Sequence, residues 1–126
     1  MPVINIELED LNRMLKSPIS SADFSRIIPE IGADPDEIGK NEATIEFFPD
    51  RPDLLSTEGV ARAVRAFMEQ ELGLVVYNTK PASTHIVVSP EVLKIRPFVL
   101  GGIVRDLKLD NTSIKSLMEL QEKLHV

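Results

Sequence analysis

The chain has 126 residues, room for one ordinary domain or for one small domain and the start of another. A hydrophobic fraction of 43%, with charges mixed along the length, fits a soluble globular chain and excludes a disordered one. The absence of cysteine excludes a disulfide framework, a thiolate zinc site and a cysteine nucleophile. Net charge is −6 but unevenly placed: residues 1–58 carry 13 acidic and 5 basic residues, and residues 59–126 carry 7 acidic and 9 basic. A half at −8 repels a phosphate backbone, which argues against autonomous binding of DNA or RNA. The longest apolar stretch, Phe98 to Val104, is far short of a membrane span, and no secretion signal opens the chain. The expected location is the cytoplasm.

In chain order, Val3 to Glu7 alternates like a half-buried strand, and Leu8, Leu11, Met14 and Leu15 then form a short helix face stopped by Ser17-Pro18. Ser20 or Ser21 caps a second helix with an apolar stripe of Phe24, Ile27, Ile28 and Ile31. Pro29 is expected to end or kink it, with Gly32 closing the segment. Pro35 to Ile38 and Ala43 to Phe48 read as strands of a hairpin around Gly39-Lys40-Asn41. Asp34, Asp36 and Glu37 read as a solvated turn edge and not as a cation site.

Pro49 to Asp53 is a turn leading into the strongest helix pattern, capped by Ser56, with Val60, Val64, Phe67, Met68 and Leu72 stacked until Gly73. A short strand at Leu74 to Tyr77 and a linker at Asn78 to Thr84 follow. Ile86 to Val88 reads as a strand, Pro90 to Lys94 as a helical turn, and Phe98 to Leu109 as a long strand bent at Gly101-Gly102. That glycine pair lacks a phosphate-binding arrangement and reads as a bulge or a close backbone approach. Asp110 or Asn111 caps a last helix carrying Ile114, Leu117, Met118, Leu120 and Leu124. This helix meets no stop signal, and the elements after the linker are too few to close a core, so a fragment of a longer chain is expected.

Catalytic chemistry is hard to place. His85 and His125 stand far apart and read as exposed linker and helix-end residues, and no Ser-His-Asp order is usable. The constellation that stands out is Phe47 to Arg62. Pro49 and Pro52 stiffen its turn, and Arg51 can bond back to a carboxylate or to strand carbonyls. Asp53 lies just ahead of the helix, where free N–H groups and the dipole favour a carboxylate. Gly59 in the first helical turn costs propensity, so something packs tightly there. The functional alternative, Mg²⁺ on Asp50, Asp53 and Glu58, is the less favoured reading.

The segment Phe48 to Phe67 resembles the Asn/Asp-Arg-Pro/Tyr-Asp-Leu-Leu…Glu-Gly…Arg motif near the N-terminus of the phenylalanyl-tRNA synthetase beta subunit. Lys94-Ile95-Arg96-Pro97-Phe98-Val99, then Val104-Arg105, then Glu119 to His125 resemble the archaeal and eukaryotic form of that family. The opening Met1 to Ile6 and the acidic Gly32 to Ile38 fit the same layout. Asp50 stands where the eukaryotic pattern has Asn. The resemblance implies a small structural domain over residues 1–80, then a linker and the incomplete opening of an editing domain over 81–126. It further implies an alpha–beta heterotetramer in which the alpha subunit carries catalysis, using ATP, Mg²⁺ and tRNA. The expected partners of this chain are the alpha subunit and the remaining beta-subunit domains, with no catalytic, cofactor or metal-binding residue of its own. A later domain of the family has a similar turn whose following helix ligates Mg²⁺. Here those helix positions fall on Gly59, Arg62 and Ala63, none of which can ligate a cation.

The fold class expected is α+β: a small antiparallel sheet backed by helices near 8–15, 21–31 and 56–72, followed by the start of a second, α/β-type unit. If the chain touches tRNA or another subunit, the contacts are expected at Arg62, Arg65, Lys94, Arg96, Arg105 and Lys108. Arg62 and Arg65 share a helix face opposite the apolar stripe, and the plainer alternative is that they are solvated or pair with Glu58 and Glu69. The rival class is a stand-alone α+β binding or scaffold protein. The reading frame beyond Val126 discriminates the two.

Overall fold

The computed structural model describes residues 2–125, which fall into two compact units: one within 1–74 and 110–126, the other 75–109. The first contains a three-stranded antiparallel sheet of order β1-β3-β2, with β1 at Val3–Glu7, β2 at Ala33–Ile38 and β3 at Glu42–Phe47. Alternation in β1 and β3 sends Ile4, Ile6, Ala43, Ile45 and Phe47 to one face, where each is buried. Helices α1 (Leu8–Met14), α2 (Ser21–Ile31) and α3 (Thr57–Phe67) supply the facing side chains: Leu8 and Leu11, Phe24, Ile27 and Ile28, and Val60, Ala61 and Val64.

Ser20 caps α2 in a reciprocal capping box with Asp23. Pro29 does not end this helix. It sits in the last turn, where the missing N–H removes a single hydrogen bond, and the helix runs to Ile31 before Gly32 turns left-handed at φ 88°. Strand β2 begins two residues earlier than its pattern suggested, so Asp34, Asp36 and Glu37 lie exposed on an edge strand and not in a turn. Pro35 is tolerated there because an edge strand has spare donors, and the register slips between Pro35 and Glu37.

Helix α3 ends at Phe67, short of the expected Gly73. Glu69 takes φ 56°, its N–H donates to Ala66 O, and the Gln70 N–H donates to Arg65 O, which together close a Schellman motif with a non-glycine residue at its left-handed position. The buried arc of α3 runs through Val60, Val64 and Ala61, and turns away from Phe67, which is half-exposed. Met68 and Leu72 lie beyond the helix and are exposed, so the long stripe expected over this segment is not one packed face.

Within 75–109 the turn at Val92–Lys94 forms as a single 3₁₀ turn, but the strands expected at Leu74 to Tyr77, Ile86 to Val88 and Phe98 to Leu109 do not. An alternating pattern makes a strand only when another strand completes its ladder. Phe98, Leu100 and Val87 are almost fully exposed. A Cβ on Gly101 would lie 2.3 Å from Ile86 Cδ1, so its near neighbour is a side chain, neither the bulge nor the backbone approach expected. The last helix, α4 (Asn111–Leu124), capped by Asp110, groups with the first unit, and the units divide after Leu74, whereas the sequence reading divides at 80 and 81.

Candidate functional site

The segment between β3 and α3 is built as two buried pegs under a polar rim. Arg51 N–H donates to Phe48 O at 3.1 Å and closes the turn. Pro52–Leu54 then makes one 3₁₀ turn that drives Leu54 and Leu55 into the core. On the rim, Arg51 grips Asp53 at two points, Nε to Oδ1 and Nη2 to Oδ2, both 2.9 Å. These bonds hold the Asp53 carboxyl below its ordinary range, outweighing partial burial, and raise Arg51 in return. The carboxylate expected to meet the helix N–H groups is thus used by Arg51. Ser56 takes the capping role, its hydroxyl oxygen accepting from Gly59 N–H at 3.1 Å.

Gly59 is buried, and a Cβ added to it would lie 1.9 Å from the backbone oxygen of Asp53. Gly59 therefore sets how closely the turn lies against the first turn of α3. Asp50 is exposed, and Glu58 accepts the Ser116 hydroxyl at 3.1 and 3.0 Å. The three carboxylates weighed as Mg²⁺ ligands thus have separate surroundings. Among the described residues no group of three or more His, Cys, Asp or Glu side chains is placed to hold a metal ion.

The two arginines of α3 have different surroundings. Arg62 is exposed and close enough to Asp53 to act on it electrostatically. Arg65 is turned inward: its Nη1 donates to Met14 O at 3.2 Å, and its Nε, shielded from solvent, meets Glu71 at 3.5 Å. Arg62 is thus exposed while Arg65 is only partly so, and the acidic neighbour of Arg65 is Glu71, where the sequence offered Glu58 and Glu69. Arg65 lies on the Ala61 side of α3, and its long side chain reaches across to the end of α1. Lys94, Arg96, Arg105 and Lys108 are exposed residues of the 75–109 unit.

Two amides that sequence reasoning passed over fasten the α1–α2 connection. Asn12 brackets Ile19, accepting from its N–H at 2.8 Å and donating to its carbonyl at 3.1 Å. Gln70 accepts from Lys16 N–H at 2.9 Å and donates to Ser17 O at 3.2 Å. Gln70 owes its position to the left-handed Glu69 before it, a signal absent from composition or period.

Residues 1–70, the sheet with α1 to α3, match the family model described as the Phe-tRNA synthetase beta subunit B1 domain. Over 99% of its length the chain is 47% identical to the phenylalanine–tRNA ligase beta subunit of Methanosarcina barkeri, and 38% identical to that of Archaeoglobus fulgidus. It covers 23% and 22% of those two proteins, so it spans less than a quarter of their length. The crystal structure of an N-terminal fragment of the phenylalanyl-tRNA synthetase beta-subunit from Pyrococcus horikoshii superposes with a TM-score of 0.86 at 30% identity, covering 98% of this chain and 37% of that one. The α+β fold and its stiffened turn are thus those of the N-terminal part of an aminoacyl-tRNA synthetase subunit. The chain belongs to the phenylalanyl-tRNA synthetase beta-subunit family, and it corresponds to the N-terminal part of that subunit.

Proposed function

We propose that this chain is the architectural N-terminal part of the beta subunit of a phenylalanine–tRNA ligase, the enzyme that attaches phenylalanine to its tRNA with ATP. Residues 1–80 act as a structural domain, and 81–126 as a linker and the opening of the editing domain. Its partners are the alpha subunit and the rest of the beta subunit. ATP, Mg²⁺ and tRNA are ligands of the whole enzyme, which works in the cytoplasm. No helix among the described residues is long and apolar enough to cross a membrane.

The observation that carries this reading is the coincidence of the family match with the packed core. Residues 1–70 hold the sheet, α1 to α3 and every buried side chain of the cluster, and their motif spends its charges on one another, as Arg51 does on Asp53. Incubating the isolated chain with labelled phenylalanine, ATP and tRNA tests it. The expected result is no phenylalanyl-tRNA from the chain alone and normal charging from the complete alpha–beta enzyme. Charging by the chain alone overturns the proposal.

A further inference from the structure

Helix α4 meets the first unit with the less apolar of its two faces. Its half-buried positions are Ser113, Ser116, Glu119, Leu120 and Lys123. The fastenings are Leu120, packed against the core, and the Ser116 hydroxyl on Glu58. Its apolar stripe, Ile114, Leu117, Met118 and Leu124, stays 45–59% exposed. At 100° per residue the docked and apolar stripes lie about 130° apart, more than a third of a turn. Asp110 at the helix start also brings a carboxylate toward Asp10, beside which Arg13 is the balancing cation. Apolar burial, the main source of helix docking, is therefore largely unused here.

We infer that α4 is a releasable latch on the first unit, undocking while the sheet and α1 to α3 remain folded. Once released, a helix of 14 residues is too short to persist in water, so undocking melts it and opens its amides. Hydrogen exchange on the 126-residue chain reads this directly. The α4 amides are expected to be protected more than tenfold less than those of Phe24 to Ile28 in α2. Leu120→Ala should lower protection of α4 several-fold further and leave α2 unchanged. Alanine is the better helix former, so that loss reports docking and not helicity. Protection of α4 within tenfold of α2 overturns the inference. So does a Leu120→Ala variant that changes neither helix, or weakens both together.

Discussion

The backbone oxygen of Asp53 occupies the space into which a Cβ on Gly59 would project, 1.9 Å from where that atom would stand. The neighbour is backbone, tied into the 3₁₀ turn through Leu54 and Leu55, so it cannot swing aside as a side chain would. Gly59→Ala must therefore shift the turn or α3, at about 1–3 kcal/mol for an overpacked site. Urea unfolding should show this loss, while Gly102→Ala, where a Cβ meets nothing within 4 Å, should unfold at the wild-type midpoint. Equal midpoints for Gly59→Ala and wild type would show that the contact is not held.

Glu69 sits left-handed at the end of α3, a conformation that costs a side-chain-bearing residue roughly 1 kcal/mol. Glycine removes that cost but gains freedom in the unfolded chain, so Glu69→Gly should be stabilising by less than about 1 kcal/mol. A thermal midpoint that rises or holds agrees. A fall of several degrees would mean that the Schellman turn does not form.

Two carboxyls give opposite pH signatures. Arg51 holds Asp53 below the ordinary 3.8, so its contribution is present above that value and is lost as pH falls through the lower folded value. Burial, then Glu58, Glu7 and Asp110, raise Asp10 above 3.8 against the pull of Arg13. Its penalty is absent below 3.8 and grows as pH rises through the raised value. Asp53→Asn should therefore lower stability at pH 7 and converge on wild type as pH falls below 3.8. Asp10→Asn should raise stability at pH 7 and likewise converge. Unfolding curves at pH 7 and below 3.8 check both signs, and variants that respond alike would refute the assignment.

The isolated chain should show no appreciable tRNA binding at about 0.15 M salt, because residues 1–58 carry −8 and Arg65 is already engaged by Met14 and Glu71. Titration of labelled tRNA tests this. Saturable micromolar binding abolished by Arg62→Ala would reveal an RNA-reading surface on α3.

Much of the first unit was legible because its signals are local. Ser20, Ser56 and Asp110 cap the helices they precede, Gly32 ends α2, and the alternation of β1 and β3 selects the buried face. The cost of placing Gly59 in a helix pointed to a tight contact before its partner, the Asp53 carbonyl, was visible. What failed depends on distant groups. Periodicity in Phe98 to Leu109 says which face could be covered and says nothing of a partner strand, and none pairs with it among the described residues. The helical wheel put Arg65 opposite Phe67, but the buried arc of α3 is rotated toward Ala61, which exposes Phe67 and brings Arg65 to the end of α1. The early stop of α3 needed a left-handed glutamate, a conformation that residue type does not announce.

The central claim, that this part of the subunit shapes the enzyme without reacting, is tested most directly by charging kinetics of the alpha–beta enzyme carrying Arg51→Ala with Asp53→Ala. These substitutions remove the paired charges of the motif and leave Gly59 and the buried leucines in place. Assembled enzyme should charge tRNA with kcat/KM within about twofold of wild type, whatever the change in its thermal midpoint. A fall of about 100-fold or more in correctly assembled enzyme would place these residues in the transition state and contradict the account.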